Sequence, residues 1–411
     1  MTHPNRSTAW SGRRTADPAE PRAGGAGAVL RAVLDLGPVA RSTIVGHAGL
    51  SPAAVTRHAA ALTGAGYLRE LAVERGPRGL GRPHVPLDID TRRWVVAGVH
   101  IGVRQTTLAL VDLRGHVLVS EQVPHRTVEA GAVTARVAAL LPDFLAAHAG
   151  GREILGLGVA SGGWVDSAAG VIVENLPLGW RDVPIRDALE RVVDVPVLVD
   201  GHARALARAE QLIGAVRAKA RRSILHLFVG TVVDAAFAAG EGVHHGPRSA
   251  AGAIAHLPVG PEDDSCACGS AGCLQAAVSE QTLARRAARA GVVETPSFPA
   301  VLDAALRGVP AAVALLRERA ELVGRAAALL IDVVNPEVVV VTEAGVNRLP
   351  ECLARLRDSV RRHSRLCPDA ASRVVPSSFA GTVLPVAAAA AVLDGFYADP
   401  LGHRTVLLMA S

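Results

Sequence analysis

Lysine and aromatic residues are almost missing from this sequence of 411 residues. Lys219 is the only lysine, so nearly all positive charge is carried by arginine, a bias typical of a GC-rich genome rather than of a function. Phe, Trp and Tyr together make up 3% of the chain, whereas apolar residues make up 50%. A chain of this length predicts two or three domains. Their cores must therefore be built from Ala, Val and Leu.

Long apolar runs and a secreted cysteine framework are also missing. No apolar run reaches about 18 residues without a charge, so no membrane span is predicted. Residues 1–25 contain arginines but no apolar segment of the kind found in signal peptides, and their Pro, Gly, Ser and Arg content predicts a disordered tail. Three of the five cysteines lie within eight residues. Such a cluster favours metal binding in a cytoplasmic protein over disulfide bonds.

The positive charge is concentrated near the N-terminus. Residues 1–90 contain eleven arginines and seven acidic residues, which accounts for +4 of the total net charge of +5. A basic N-terminal segment attached to a nearly neutral body is typical of a nucleic-acid-binding module.

Residues 26–90 predict a winged helix-turn-helix domain. Apolar spacing predicts helices over 28–36, 41–48 and 52–63, and the third begins with Ser51 as its N-cap and Pro52 at its first position. Strands over 70–74 and 85–87 then predict a hairpin around an arginine-bearing turn.

The third helix and the hairpin turn suit DNA. The third helix directs Val55, Ala59 and Leu62 inward, which leaves a face of small and polar side chains for the major groove, while the turn suits phosphates or the minor groove. The candidate DNA-binding residues are Ser51, Thr56, Arg57, Arg78 and Arg82. The alternative is a winged helix used for protein contacts. In that case Arg57→Ala and Arg82→Ala would leave chromosome occupancy unchanged.

The remainder of the chain predicts an α/β body. Strand patterns recur from residue 95 onward, several are followed by glycine turns, and alanine-rich helical stretches separate them. The strand predictions cover residues 95–102, 106–111, 115–119, 154–159, 197–200, 223–229 and 338–342. This alternation indicates two lobes.

Several motifs along the chain, in the winged module and in the body, resemble the ROK family of sugar kinases and sugar-responsive repressors. They are Gly81-Arg82-Pro83, the 110–115 segment LVDLRG, the 179–184 segment GWRDVP and the 266–273 segment CACGSAGC preceded by His256. The resemblance implies an actin/hexokinase-like fold, with one lobe over 94–205 completed by about 385–411 and a second over 206–384. Kinases of the family typically lack the winged module, so its presence here implies a repressor.

One cysteine cluster predicts a structural zinc site. His256, Cys266, Cys268 and Cys273 offer one imidazole and three thiolates, the ligand set of a closed tetrahedral site. Four filled positions leave no place for a water nucleophile. The alternative is an unmetallated redox group. Cys352 and Cys367 lie far away in sequence and are interpreted as ordinary thiols.

Compared with ROK kinases, the chain lacks the residues that phosphoryl transfer needs. The resemblance implies an Asn-Asp pair carrying the base, where this chain has Gly201-His202, and an acidic residue where it has His100. In the implied phosphate turn, Val232 and Val233 hinder phosphates and Asp234 repels them. We therefore predict that the protein is not an enzyme.

Sugar recognition is altered as well. Ala253 and Gln275 stand where the family has carboxylates that bond sugar hydroxyls. Asn175, His202 and Gln275 remain as candidate ligand-binding residues. His100 and His202 together are either ordinary cleft histidines or a new metal or anion site.

The sequence thus predicts a cytoplasmic, sequence-specific DNA-binding regulator that acts as a repressor. We expect a homodimer or homotetramer that recognises an inverted repeat. Its effector is a sugar derivative, another metabolite, a partner protein or nothing. The alternative function is a sugar kinase carrying a DNA-binding module.

Overall fold

Three helices and a two-stranded sheet form the N-terminal domain of the computed structural model, which describes residues 24–72, 85–240, 242–261, 265–365 and 367–402. The elements are α1 (Gly25–Leu36), α2 (Arg41–Ala48), α3 (Pro52–Gly64), β1 (Leu68–Glu70) and β2 (Leu87–Ile89). The helix-turn-helix turn passes through Gly49, whose φ of 65° suits glycine. The three helices lie within about three residues of the predicted ones.

The second strand of the hairpin was predicted at the wrong position. It spans Leu87–Ile89, not 85–87, because it pairs antiparallel with β1 in the register Leu68↔Ile89. In this register Leu87 and Ile89 are both buried in the domain core. Pro86 has no backbone N–H to donate to a strand partner. The predicted hairpin turn, including Arg78 and Arg82, lies outside the described residues.

A five-stranded mixed sheet forms the first lobe of the body. Its strand order is β10-β6-β3-β4-β5, and a separate antiparallel sheet of β7, β8 and β9 lies beside it. The elements are β3 (Trp94–Ile101), β4 (Gln105–Asp112), β5 (Val117–Pro124), α4 (Ala130–His148), β6 (Glu153–Ser161), β7 (Trp164–Asp166), β8 (Val171–Asn175), β9 (Trp180–Val183), α5 (Ile185–Glu190) and β10 (Val197–Gly201).

Helix α4 is the one described helix that is long and apolar enough to cross a membrane by length and composition alone. It contains Arg136 and Asp143 and buries Val133, Leu141 and Phe144 in the core of this lobe.

The second lobe has a sheet of similar size with the strand order β13-β12-β11-β14-β15. Its elements are α6 (His202–Leu212), α7 (Arg217–Ala220), β11 (Ser223–Val229), β12 (Val233–Ala239), β13 (Gly242–Val243), α8 (Leu274–Val278), α9 (Glu280–Arg289), α10 (Phe298–Leu306), α11 (Pro310–Val334), β14 (Val338–Glu343), α12 (Ala344–Arg348), α13 (Pro350–His363), α14 (Ala370–Arg373) and β15 (Val374–Pro376). As expected, Ala, Val and Leu dominate the cores.

The last helix, α15 (Val383–Ala398), returns to the first lobe and packs on β3 and β6. This contact depends on two glycines in those strands. A Cβ added at Gly158 would lie 1.9 Å from the carbonyl oxygen of Ala388, and one added at Gly98 would lie 2.8 Å from the Ala388 Cβ. Only a strand without side chains at these positions admits the helix backbone so closely.

The N-terminal domain shares one apolar core with the body. Tyr67 packs edge-on against Phe396 of α15 with ring centroids 4.8 Å apart, and the indole nitrogen of Trp94 donates to the carbonyl oxygen of Ala65 at 3.1 Å. The residues of both contacts are buried. Because this core is continuous, the N-terminal domain is fixed on the body rather than tethered to it.

Candidate functional site

The exposed face of α3 matches the sequence expectation. The Oγ of Ser51 accepts a hydrogen bond from the backbone N–H of Ala54 at 3.2 Å, which caps the helix. Val55, Ala59 and Leu62 are buried, so Thr56 and Arg57 are turned to solvent. The hydroxyl of Thr56 donates to the carbonyl oxygen of Pro52 at 2.9 Å. The face therefore offers one arginine among small side chains.

The four predicted zinc ligands converge. The donor atoms of His256, Cys266, Cys268 and Cys273 all lie within 4.8 Å of one another. The Sγ atoms of Cys268 and Cys273 are 3.7 Å apart, as are Nδ1 of His256 and Sγ of Cys266. A tetrahedral zinc ion with Zn–S bonds of about 2.3 Å requires a ligand separation of about this size. The donor set and its spacing fit zinc.

A tight backbone knuckle brings these ligands together. The backbone N–H of Cys266 donates to the carbonyl oxygen of Ser270 at 2.8 Å. The backbone N–H of Gly269 donates to the carbonyl oxygen of Cys266 at 3.0 Å. Gly269 and Gly272 have φ values of 89° and 69°, which residues other than glycine rarely adopt. The two glycines thus permit the reversal that returns Cys273 to the site.

The protonation of the thiols follows from this geometry. The backbone N–H of Ser270 lowers the pKa of Cys268 to about 6. Burial and the neighbouring thiols raise the pKa of Cys273, because a second thiolate would stand next to the first. A bound divalent cation removes that repulsion, which is the usual way in which a metal keeps several thiolates together.

His100 and His202, which stand where the family resemblance implies acidic residues, meet in the cleft between the lobes. His100 ends β3 and His202 begins α6, and their rings stack with centroids 5.8 Å apart at an interplanar angle of 10°. Neither ring nitrogen of His100 has a hydrogen-bond partner among the described residues. Burial, and then the neighbouring His202, lower the pKa of His100 to about 3. His100 is thus neutral.

Asp234 bridges the cleft to His202. Its Oδ2 lies 2.9 Å from Nε2 of His202 and accepts a hydrogen bond from the backbone N–H of Gly163 at 2.9 Å. The geometry of this contact does not satisfy a hydrogen bond, and neither ring nitrogen of His202 has a hydrogen-bond partner among the described residues. Asp234 lies on β12 of the second lobe, Gly163 belongs to the first lobe, and His202 begins α6 directly after β10. The carboxylate of Asp234, which was predicted to repel phosphates, therefore links the two lobes through its hydrogen bond with Gly163.

Of the three candidate ligand-binding residues Asn175, His202 and Gln275, the side-chain amides of Asn175 and Gln275 form hydrogen bonds with backbone groups. Asn175 is buried, donates to the carbonyl oxygen of Gly162 at 3.1 Å and accepts from the N–H of Leu178 at 3.3 Å. Gln275 accepts from the N–H of Val233 at 2.8 Å and donates to the carbonyl oxygen of Thr231. Only Gln275 and His202 of the three line the central cavity of about 730 Å³.

A buried ion cluster beside the cleft was not predicted from the sequence. Asp200 accepts from Nε of Arg204 at 2.7 Å, and Nη1 of the same arginine donates to the carbonyl oxygen of Ser249 at 2.8 Å. Arg204 therefore links Asp200, on β10 of the first lobe, to Ser249 of the second lobe. The four-residue spacing of Asp200 and Arg204 is the only sequence signal, and it does not indicate burial.

Comparison with known proteins assigns this architecture to a family. The ROK family model matches residues 96–384, and the chain belongs to the ROK family. Transcriptional regulator Rv0485 of Mycobacterium tuberculosis is 34% identical over 389 residues, which cover 92% of this chain and 86% of that protein.

Two solved structures show the same body with and without the N-terminal part. A ROK family transcriptional regulator described as a homologue of the Escherichia coli Mlc protein covers 94% of this chain and 97% of its own, with a TM-score of 0.75 and 22% identity. A ROK family glucokinase from Streptomyces griseus, in complex with glucose and AMPPNP, covers 72% of this chain and 98% of its own, with a TM-score of 0.63 and 25% identity.

Proposed function

We propose that this protein is a sequence-specific DNA-binding transcriptional regulator that acts as a repressor. In this proposal residues 26–90 bind DNA, while residues 94–205 with about 385–411, and residues 206–384, are the two lobes of a body that does not phosphorylate sugars. The names of the matched regulator and of the solved regulator support it, because both alignments span more than nine-tenths of this chain.

The observation that carries the proposal is the exposed face of α3. A recognition helix needs small side chains for close approach to the groove and a few donors for bases or phosphates. Ala53, Thr56, Arg57 and Ala60 are all exposed on α3, which contains no acidic residue. Arg57 is the arginine of this face. The proposal therefore predicts that its substitution weakens DNA binding more than substitution of the other residues of the face.

The cleft supports a body without phosphoryl transfer. A base must accept the proton of the sugar hydroxyl. The position that the family resemblance implies for that base holds His202, which is 3% exposed and faces Asp234. Val232 is also buried there, and its side chain packs where a Cβ of Gly162 would be. The turn is filled by side chains where phosphates need backbone N–H groups.

We also propose that His256, Cys266, Cys268 and Cys273 hold one structural zinc ion. All four positions of a tetrahedron are then filled by protein atoms, so the ion supplies stability rather than catalysis. A homodimer or homotetramer would place two copies of α3 on an inverted repeat, since the symmetry of the protein is then matched by that of the operator. A cytoplasmic location accords with binding to chromosomal DNA.

The direct test is genome-wide mapping of DNA bound by the full chain, followed by gel shifts on the enriched sites. Arg57→Ala is expected to weaken specific binding by about 1–3 kcal/mol. Arg325→Ala is the matched control, because Arg325 is exposed on α11 in the second lobe. Unchanged occupancy for Arg57→Ala would show that the N-terminal domain makes protein contacts instead.

A separate assay addresses the kinase alternative. The purified chain is incubated with ATP, magnesium and a panel of hexoses, and sugar phosphate is measured. We expect none above background. Turnover that disappears in His202→Ala would establish the chain as a sugar kinase with a DNA-binding module.

A further inference from the structure

The central cavity lies between chemically different walls. The first lobe contributes Trp164, Leu176 and Pro177, and the second lobe contributes α9 and the zinc knuckle. Its volume of about 730 Å³ suits a small metabolite, since such sites typically measure about 300–1,000 Å³.

The acidic side chains of the cavity are already paired. Asp234 is held by His202 and Gly163, and Glu174 forms an ion pair with Arg181 at 2.8 Å. Gln275 uses both its amide oxygen and its amide nitrogen on the backbone. Several fixed acceptors are needed to select the hydroxyls of a neutral sugar, and in this cavity those acceptors are engaged elsewhere.

The cationic side chains of α9 are not balanced in the same way. Arg285 and Arg289 stand one helical turn apart, and both line the cavity. Neither forms an ion pair with a described residue, whereas Arg286 between them is bound by both carboxylate oxygens of Glu318 at 2.7 and 2.8 Å. Arg285 donates only to the hydroxyl of Thr282, at 3.3 Å. The cavity therefore carries two positive charges without a counter-charge.

The opposite wall is apolar. Trp164 lines the cavity, and its indole nitrogen donates to the carbonyl oxygen of Arg248 at 2.8 Å, which fixes the ring. The guanidinium of Arg248 lies 4.9 Å from the ring centroid. Leu176 and Pro177 extend this wall. A ring or other apolar surface can pack here without leaving polar groups unpaired.

We propose that the cavity binds a small organic anion, with its ring or apolar body against Trp164 and its phosphate or carboxylate group between Arg285 and Arg289. Two guanidinium groups recognise either oxyanion by charge-assisted hydrogen bonds. The inference rests on the proposed function only in naming this anion the effector of the regulator.

The fold connects this cavity to the DNA-binding domain. His202 lines the cavity and is the first residue of α6. After the end of α6, Arg217 and Arg221 bind Asp35 of α1 at 3.0 and 2.6 Å. Arg221 also donates to the carbonyl oxygens of Gln211 and Leu212 at the C-terminal end of α6. A ligand that displaces His202 therefore acts on a helix whose other end contacts an arginine bound to the N-terminal domain.

The test is calorimetric titration of the full, zinc-loaded chain in the absence of DNA. The probes are glucose, glucose 6-phosphate, glucuronate and inorganic phosphate. We expect at least one anionic hexose to bind about ten-fold or more tightly than glucose, a difference of about 1.4 kcal/mol. The phosphate and carboxylate probes decide between the two anionic groups, and inorganic phosphate measures the contribution of the bare anion.

The variants decide where the anion binds. Arg285→Gln with Arg289→Gln is expected to abolish the preference for the anionic hexose. Arg307→Gln with Arg325→Gln removes the same charge from exposed positions outside the cavity and should leave the preference intact. Equal affinity for all four probes, absence of binding, or unchanged binding by the Arg285/Arg289 double variant overturns the proposal.

Gel shifts on the same preparations keep the two proposals apart. Anion binding without DNA binding would remove the proposed function and leave the cavity assignment standing. DNA binding without anion binding would overturn the cavity assignment and leave the proposed function standing.

Discussion

The carboxylate of Asp35 accepts a hydrogen bond from the guanidinium of Arg221 at 2.6 Å. Asp35 belongs to α1 of the N-terminal domain, and Arg221 lies between α7 and β11 of the body. Arg217 donates to the same carboxylate at 3.0 Å. Burial alone raises the pKa of Asp35, but Arg221 and Arg217 outweigh it and hold the pKa below its usual value. The charged carboxylate thus fastens the two parts together.

Asp35→Asn tests this contact. It keeps the shape of the side chain but removes the charge, and we expect it to lower the free energy of unfolding by about 2 kcal/mol at pH 7, because two charged hydrogen bonds are weakened. A lowered carboxyl pKa stabilises the fold above the unfolded value of 3.8 and stops doing so as the pH falls through the folded value. The difference between variant and wild type in urea unfolding should therefore shrink below about pH 4.

The control for this prediction is Asp187→Asn. Asp187 is exposed on α5 and forms no ion pair with a described residue. We expect its free energy of unfolding to match that of wild type. Equal losses in both variants would mean that the Asp35 ion pairs contribute nothing specific.

Zinc content is the second prediction. We expect one zinc ion per chain by elemental analysis and its loss in Cys268→Ala, since three ligands hold zinc far less tightly than four. Cys367→Ala is the control, because Cys367 contacts Asn335 and is remote from the knuckle. Wild-type protein purified with no stoichiometric metal, or Cys268→Ala that keeps it, would favour the unmetallated thiol cluster.

The third prediction concerns the buried histidines. Burial, followed by the proximity of His202, lowers the pKa of both His100 and His226 to about 3. The unfolded chain binds a proton at each near pH 6.5, while the folded chain does not. Stability is therefore complete above pH 6.5 and declines as the pH falls towards 3, by up to about 1.4 kcal/mol per pH unit for each histidine.

Thermal and urea unfolding between pH 7.5 and 5.5 measure this slope. His226→Gln should reduce the slope of the unfolding free energy against pH by about the contribution of one histidine. The comparison at pH 7.5, where both histidines are neutral in either state, isolates the packing cost of the substitution. An unchanged slope would contradict the assignment of His226 as a neutral buried group.

The fourth prediction concerns restoration of the family's acidic residue. His202→Asp would place a carboxylate next to Asp234, and two carboxylates in contact cannot both ionise without a large cost. We expect lower stability at pH 7 than at pH 5 for this variant and no phosphoryl transfer. Adding Asp234→Asn should relieve the pH dependence. Sugar phosphorylation by His202→Asp alone would show that the cleft still admits ATP.

Local patterns determined much of this protein. The apolar spacing of α1 and α3, the Ser51 cap and the Gly49 turn each depend on neighbours a few residues away, and the predicted helices match within about three residues. The zinc ligands were also found from sequence, because Cys266, Cys268 and Cys273 lie close together in the chain and His256 is ten residues upstream of Cys266. Constraints between residues that are close in the chain can be predicted from the sequence alone.

Tertiary structure alone decided the rest. The register of β2, the pairing of Asp234 with His202 across the cleft, and the use of Asn175 by the backbone depend on groups from distant segments. Asp35 and Arg221 are separated by 186 residues, and no sequence spacing indicates their contact. An aspartate in a linear sequence can repel a phosphate or anchor a histidine. Which of these it does depends on the charges that the fold brings beside it.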